Sequence, residues 1–216
     1  MRQITASPRL TGLLGFNAGY VDTAGFLALH GLFTAHVTGN FVTLAASLVY
    51  GTSGALAKLS ALPVFCALVL LARLSRSVDL LLGTKIVLLA AAALIMIAYG
   101  PFPDSGTGLA FSAGMLMVAA MAIQNAVHRM HLANAPPSTL MTGTTTQVML
   151  DLADLLRGVD APERAAAQQR LRKLVPAVLI FAFGCAMAAL AYIGIGMWCF
   201  ALPPIVAAAI AVESGR

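Results

Sequence analysis

The chain alternates long apolar runs with short polar segments, and this pattern predicts a helical membrane protein. Six runs of 17 to 21 mostly apolar residues are each long enough to cross the ~30 Å hydrocarbon core of a bilayer as a helix. The predicted spans cover residues 10–30, 57–74, 84–100, 109–128, 174–194 and 195–212.

Two shorter apolar runs, at residues 37–50 and 141–156, begin with related tripeptides. The tripeptide is Thr-Gly-Asn in the first run and Thr-Gly-Thr in the second, 104 positions later. Such repetition indicates a duplicated chain, and in small transporters the substrate site usually lies where two repeats meet. The tripeptide residues are Thr38, Gly39, Asn40, Thr142, Gly143 and Thr144.

The distribution of Lys and Arg favours short runs that enter the membrane and turn back. If they do so, twelve of the 13 basic residues lie on the cytoplasmic side and only Lys58 lies outside. If they cross fully, the split falls to nine against four. We therefore predict six transmembrane helices and two re-entrant half-helices, with both termini in the cytoplasm.

Three crossings in each half leave the second half inverted relative to the first. The predicted fold is an all-α integral membrane protein with one membrane domain, built from two inverted repeats at residues 10–100 and 109–212. Residues 157–173 form a cytoplasmic connector within the second repeat. Asp160, Pro162 and Glu163 predict that a short amphipathic helix begins there, on the cytoplasmic surface.

Composition agrees with a membrane protein and argues against other classes of function. Hydrophobic residues make up 60% of the chain, charged residues 10%, and the mean hydropathy is +0.89, values that a water-soluble surface does not accommodate. The net charge of +5 arises from short segments between the apolar runs, so we expect it to orient the chain and not to bind nucleic acid. Because phosphate-loop, zinc-protease and nucleophile-elbow motifs are missing from the sequence, we predict neither an enzyme nor a bound cofactor.

Two polar stretches precede the predicted half-helices. Non-helical backbone is tolerated at membrane depth only where it is buried or lines a wet cavity. Residues 132–140, with Pro136 and Pro137, form such a stretch, and Thr142 or Thr139 can cap the helix that follows. Residues 31–37 play the same part in the first half. Two half-helix N-termini that face each other would present free amide hydrogens to a solute between them.

Asp22 is the most costly residue to bury, because it lies near the middle of the first predicted span. It has two interpretations: a staple that holds the half-helix after it, or a direct role in handling solute or protons. Gly15, Gly19 and Gly25 share its helical face, so neighbouring backbone can approach closely. The comparable stretch of the second half lacks a carboxylate and contains Gln124, Asn125 and His128.

One face of the fourth predicted span combines methionine with polar residues. Its residues recur at helical spacing, which is compatible with core packing, with the lining of a pathway or with a soft-metal site. The face consists of Met117, Met121, Gln124, His128 and His131.

Acidic residues also mark the end of the second half-helix. Asp151 and Asp154 are expected there as solvated boundary residues that could also pair with Arg157, which follows Asp154 by one helical turn.

Several segments resemble the N-terminal signature of the YoaK-type family. They are residues 19–26 (Gly-Tyr-Val-Asp-Thr-Ala-Gly-Phe), 31–33 and 36–40, with residues 141–145 as a weaker second patch. Members of that family are small bacterial inner-membrane proteins of unknown function, drawn with six spans. The resemblance implies a multi-pass protein of the bacterial cytoplasmic membrane and supplies no substrate, cofactor or catalytic residue.

We expect a transporter or channel for an unidentified small solute or ion, with its site at the interface of the repeats. The alternative is a non-transporting membrane scaffold or assembly partner, in which a stripe of Gly12, Gly15 and Gly19 could join subunits of a homo-oligomer. The expected partners are the lipid bilayer and the solute, and no metal site is predicted. The predicted substrate-binding residues are Asp22, Thr38, Gly39, Asn40, Gln124, Asn125, His128, Thr142, Gly143 and Thr144.

Overall fold

The computed structural model describes residues 4–75, 77–104, 108–139 and 141–215, and every regular element in these ranges is helical. Arg2, Arg76 and Arg216 from the charge count, and Leu140 from the second polar stretch, lie outside the described residues. The helices are α1 (Pro8–Ala28), α2 (Gly39–Tyr50), α3 (Ala55–Leu74), α4 (Val78–Tyr99), α5 (Gly108–His131), α6 (Met141–Arg157), α7 (Ala161–Ile195) and α8 (Leu202–Ser214), with a 3-10 helix at Gly196–Ala201 before α8.

The described part of the chain contains four helical stretches long and apolar enough to cross a membrane. They are α3, α4, α5 and the continuous stretch Ala161–Ser214, and α2 is a shorter apolar helix. Large apolar side chains such as Leu70, Val87, Leu179 and Ile193 are exposed on these helices. The prediction of an all-helical protein with membrane-compatible helices is therefore confirmed.

The predicted separate connector helix at residues 157–173 is wrong. Its predicted start is correct, because the Asp160 side chain accepts a hydrogen bond from the Glu163 amide at 3.0 Å and caps α7. The helix then continues without a break for 35 residues, with Pro176 inside it. Since residues 163–173 are mostly good helix formers, the polar segment becomes the first part of the fifth predicted span.

Two other predicted boundaries also shift. Helix α4 begins at Val78 and not at residue 84, because the Ser77 hydroxyl accepts a hydrogen bond from the Leu80 amide and caps it. The span predicted at 195–212 divides into the 3-10 helix and α8. Gly196 has a φ of 56°, which ends α7, and Pro203 lies in the first turn of α8.

Corresponding helices in the two halves of the chain pack against corresponding neighbours. Helix α1 packs against α7, and α5 packs against α3; α1 also packs against α8, and α5 against α4. Helix α2 packs against α3 as α6 packs against α7, and further contacts join α4 to α8 and α1 to α5. If α1, α2, α3 and α4 are exchanged with α5, α6, α7 and α8, respectively, the same pairs of neighbouring helices result.

Helices α1 and α5 run in opposite directions. The Gln124 amide donates to the Leu14 carbonyl at 3.0 Å, whereas Gly25 of α1 faces Met117 of α5, and Leu29, just beyond α1, faces Gly114. At the start of α1, the Ser7 hydroxyl donates to Glu213 of α8 at 3.2 Å. The beginning of the described chain and its end therefore lie on the same side of the bundle.

Glycines allow α1 and α7 to approach each other closely. A Cβ atom at Gly19 would overlap the carbonyl oxygen of Phe181, and one at Gly184 would overlap the carbonyl oxygen of Phe16. Gly12 and Gly15 face Ile180 on the same side of α1. The glycine stripe of α1 therefore packs against a helix of its own chain.

Candidate functional site

Asp22 anchors the segment that connects α1 to α2. One carboxylate oxygen, Oδ1, accepts hydrogen bonds from the amides of Thr34 and Ala35, both at 2.7 Å. The other, Oδ2, lies 2.6 Å from Nδ1 of His36. Asp22 is buried and precedes the end of α1 by six residues, so residues 29–38 fold back along α1. Gly31, with a φ of 87°, allows the chain to reverse.

Asn40 closes this first loop at its other end. Its Nδ2 donates to the Phe33 carbonyl, and its Oδ1 accepts from the Phe33 amide, both at 2.8 Å. Gly39 lies against the Phe33 ring, where a Cβ atom would come within 2.9 Å. Thr38 stands at the N-cap of α2, but its side chain makes no capping hydrogen bond. The first tripeptide therefore shapes the loop, and the Thr38 side chain is exposed.

A second loop, residues 132–139, folds back along α5 in a similar way. The Thr139 hydroxyl donates to Oδ1 of Asn125 at 2.7 Å, and Nε2 of Gln124 lies 3.4 Å from the Ser138 hydroxyl. Asn125 thus holds its loop from a position comparable to that of Asp22, with an amide in place of the carboxylate.

The two loops meet at His36. In addition to its contact with Asp22, the His36 imidazole lies near the backbone carbonyl of Thr139, outside hydrogen-bonding geometry. Its ring also packs edge-on against Phe181 of α7, with 5.4 Å between the ring centroids. His36, Thr139 and Phe181 therefore bring the first loop, the second loop and α7 together.

A buried polar cluster lies beside the second loop. The Lys85 ammonium donates to Oε1 of Gln124 at 2.6 Å, and Nδ2 of Asn17 donates to the same oxygen at 3.3 Å. Lys85 is completely buried, and no carboxylate of the described residues forms an ion pair with it. The predicted span at residues 84–100 places Lys85 at its cytoplasmic start. Recognition of Ser77 as a helix cap would have placed it two turns inside α4.

Three cavities adjoin these loops. The Asp22 cavity has a volume of about 530 Å³ and is lined by the first loop, α1 and α7, including Asp22, Phe33, His36, Thr38 and Phe181. The Arg172 cavity, about 240 Å³, lies between the start of α1, the second loop and α7. The His128 cavity, about 100 Å³, lies between α5 and the second loop. Ser138 lines both of the latter two.

The structure gives the ten predicted binding residues different positions. Thr38 and Gly39 join Asp22 in the lining of the Asp22 cavity, while Asn125 and His128 line the His128 cavity. Gln124 lies in the buried cluster, and Asn40 holds the first loop. The second tripeptide is separate from these cavities: Thr144 is buried, and both Thr142 and Gly143 are exposed.

The structure also tests two expectations for residues outside the predicted binding set. Met117 and Met121 are buried in the hydrophobic core, as the packing interpretation predicts. Asp151 is not a solvated boundary residue, because its carboxylate is covered and pairs with Arg170, 2.7 Å away, instead of Arg157. The Arg170 hydrogen bonds hold the pKa of Asp151 below its usual value, and Gln147 adds to this effect.

Comparisons with known proteins identify a family for the chain but no activity. No curated protein and no solved structure matches the chain. The protein-family model described as "Protein of unknown function (DUF1275)" matches residues 10–212. This match agrees with the expectation of an uncharacterised family, while the YoaK-type name stays a resemblance. Since the match covers nearly the whole sequence, the chain belongs to the DUF1275 family of proteins of unknown function.

Proposed function

We propose that this protein is a transporter or channel that moves a small solute or ion across the bacterial cytoplasmic membrane. The observation that supports this most directly is the meeting of the two loops at His36 and Thr139. His36 lines the Asp22 cavity, and Thr139 lines the His128 cavity. The two cavities therefore approach each other at these residues, as the two ends of a closed pathway would.

The proposed membrane arrangement has six spans and two re-entrant half-helices in inverted repeats. Support comes from the neighbours shared by the two halves and from the opposite directions of the corresponding helices α1 and α5. Further support comes from the loops, since each returns alongside its preceding helix before α2 or α6 begins. A helix of 12 residues such as α2 is only ~18 Å long, too short to cross a ~30 Å core.

The proposed orientation has both termini in the cytoplasm. With α1 and α7 parallel and α5 antiparallel to them, most described basic residues lie on the same side as the start of α1. The Arg172 cavity lies at this cytoplasmic end, next to Ser7 and Pro8, and the Asp22 cavity lies farther along α1. The basic residues at this end are Arg9, Arg73, Arg129, Arg157, Arg164, Arg170, Arg172 and Lys173.

Flux into liposomes tests this function, and the two tripeptides offer a matched pair of variants. Thr38 and Thr142 are both exposed threonines at the start of a short helix, but only Thr38 is among the residues that line the three cavities. Thr38→Trp should therefore lower the flux of a transported solute severalfold by filling the Asp22 cavity, whereas Thr142→Trp should leave it unchanged. Equal effects of both substitutions would contradict a pathway through the Asp22 cavity.

A non-transporting scaffold is the second candidate. The hydrogen bonds of Asp22 and Asn40 favour it, because both side chains hold backbone in place through the contacts that the structure gives them. The deciding result is the flux of the wild-type protein. If no ion, weak acid or neutral solute crosses at a rate above that of protein-free liposomes, the scaffold is the correct interpretation.

A further inference from the structure

We infer that the solute is a small anion, which enters from the cytoplasmic end and binds beside Ser138. This inference rests on the proposed transport function and adds the chemical class of the solute. It is based on three observations: the charge of the two cavities at Ser138, an unpartnered histidine in one of them, and the buried Lys85 behind their common wall.

The residues that line the two cavities have one sign of charge. Arg172 and Lys173 line the Arg172 cavity, Arg129 lines the His128 cavity, and neither lining includes a carboxylate. Within the described residues, none of these three cations forms an ion pair. A cleft lined by charges of one sign concentrates ions of the opposite sign. Both cavities therefore favour an anion over a cation.

His128 lines the smaller cavity, and both of its ring nitrogens are covered by protein atoms. It is only 6% exposed, and neither ring nitrogen has a hydrogen-bond partner among the described residues. The Ala135 carbonyl interacts with the ring but lies outside hydrogen-bonding geometry. Buried polar groups are normally paired, so a ligand that accepts a hydrogen bond fits this position. The ring shares the cavity with the side chains of Asn125, Ser138 and Thr139, which can also donate or accept hydrogen bonds.

Lys85 places a further cation behind the wall that both cavities share. The connection runs from the Lys85 ammonium to Gln124 Oε1 at 2.6 Å, and from Gln124 Nε2 to the Ser138 hydroxyl at 3.4 Å. The low dielectric of the interior strengthens the attraction between a protonated Lys85 and any anion nearby. An anion at Ser138 would supply the missing negative charge.

The cavity volumes limit the size of the anion. On this measure one water needs about 10–15 Å³, so cavities of about 240 and 100 Å³ hold several waters or an ion of a few heavy atoms with part of its hydration shell. Chloride, nitrate, formate and acetate fit this description. Nucleotides and sugar phosphates are too large for the smaller cavity.

Flux in liposomes of neutral phosphatidylcholine tests the inference without competition from anionic headgroups. Uptake of radiolabelled chloride and acetate is compared with uptake of sodium and glycerol. We expect the two anions to cross and the other two solutes to be excluded. If sodium or glycerol crosses and the anions do not, transport stands and the anion inference is wrong. If no solute crosses, both proposals fail.

Charge-neutralising variants distinguish the effect of the cavity residues on anion uptake from the effect of the general positive charge on the cytoplasmic side. Arg172→Gln combined with Lys173→Gln should lower anion uptake about tenfold, because local attraction of counter-ions is lost. Arg157→Gln combined with Arg164→Gln is the matched control, since it removes the same charge from two exposed side chains that line none of the three cavities. An equal loss in the control would assign the effect to surface charge and overturn the inference.

Lys85→Met tests the buried cation. The substitution retains the side-chain length and removes the charge, and replacement of a buried charge by an apolar group is often neutral or stabilising. Anion uptake should fall about tenfold while the unfolding temperature in detergent stays the same or rises. Unchanged anion uptake in a folded Lys85→Met protein would contradict the role of Lys85.

Discussion

Asp22 and Asn125 hold the two loops from comparable positions. Oδ1 of Asp22 accepts a hydrogen bond from the Thr34 amide, and Oδ1 of Asn125 accepts one from the Thr139 hydroxyl, both at 2.7 Å. The first loop is held by a carboxylate that receives backbone amides and an imidazole, and the second by a neutral amide. The two loops are therefore held in a similar way by side chains of different charge.

The staple role of Asp22 predicts an order of stability among its variants. Asp22→Asn keeps one acceptor for the amides of Thr34 and Ala35, so we expect a loss of about 1–2 kcal/mol of unfolding free energy. Asp22→Ala leaves both amides unpaired and should cost about 3 kcal/mol or more. Unfolding temperatures in detergent provide the measurement. Equal temperatures for the two variants would show that the hydrogen bonds to the loop are not the stabilising element.

Flux measurements on Asp22→Asn then distinguish a role in holding the loop from a direct role in handling solute or protons. If Asp22 exchanges a proton with the solute or with water, the amide variant should fold and lose the pH dependence of its flux. If it acts only as a staple, flux should fall no more than the folded fraction does. A folded Asp22→Asn protein with wild-type flux and pH dependence would exclude the ionisable role.

Close packing of α1 against α7 predicts that Gly19 is intolerant of substitution. Gly19→Ala places a Cβ atom against the Phe181 carbonyl, and since backbone cannot yield as a flexible side chain does, we expect a loss of about 1–3 kcal/mol. Gly83→Ala in α4 is the control, because open space surrounds that position and alanine favours a helix by roughly 0.5–1 kcal/mol. The unfolding temperature should fall in the first variant and hold or rise in the second.

The pairing of Asp151 with Arg170 predicts that the protein becomes less stable in acid. Its hydrogen bonds with Arg170 hold its folded-state pKa below the usual 3.8. The stability that this lowered pKa contributes is therefore fully present above about pH 4 and is lost as the pH falls through the folded-state value. In Asp151→Asn the unfolding temperature at neutral pH should be a few degrees lower, and its decline in acid should be shallower than in the wild type. Asp154→Asn on the same helix serves as the control and should follow the wild-type curve.

The sequence predicted the features that depend on local pattern. Apolar runs located the helices, a buried carboxylate in α1 identified Asp22 as a residue with a specific task, and Pro136 with Pro137 marked the second loop. These inferences succeed because hydropathy, burial cost and proline geometry each act within a few residues.

Features that depend on distant partners were missed. Lys85 was expected at the cytoplasmic start of its span, because an apolar run indicates a helix without fixing where it begins. The helix begins six residues earlier, and Lys85 is buried. Arg170 pairs with Asp151 across a helical hairpin, 19 positions away, which helical spacing does not reveal. The second tripeptide repeats the first in letters, but Thr142 and Gly143 are exposed, since a short motif fixes local backbone and not the direction in which it faces.

The proposed re-entrant helices make a prediction about the two sides of the membrane. Tyr50 ends α2 and Arg157 ends α6, and both side chains are exposed. If each short helix turns back to the side from which its loop entered, Tyr50 lies outside and Arg157 lies in the cytoplasm. If each crosses fully, both lie in the cytoplasm. In a protein with Cys66, Cys185 and Cys199 replaced by alanine, Tyr50→Cys should react with an impermeant maleimide applied from outside. Arg157→Cys should react only after the membrane is opened, and reaction of both cysteines from the same side would rule out the paired half-helices and the pathway between them.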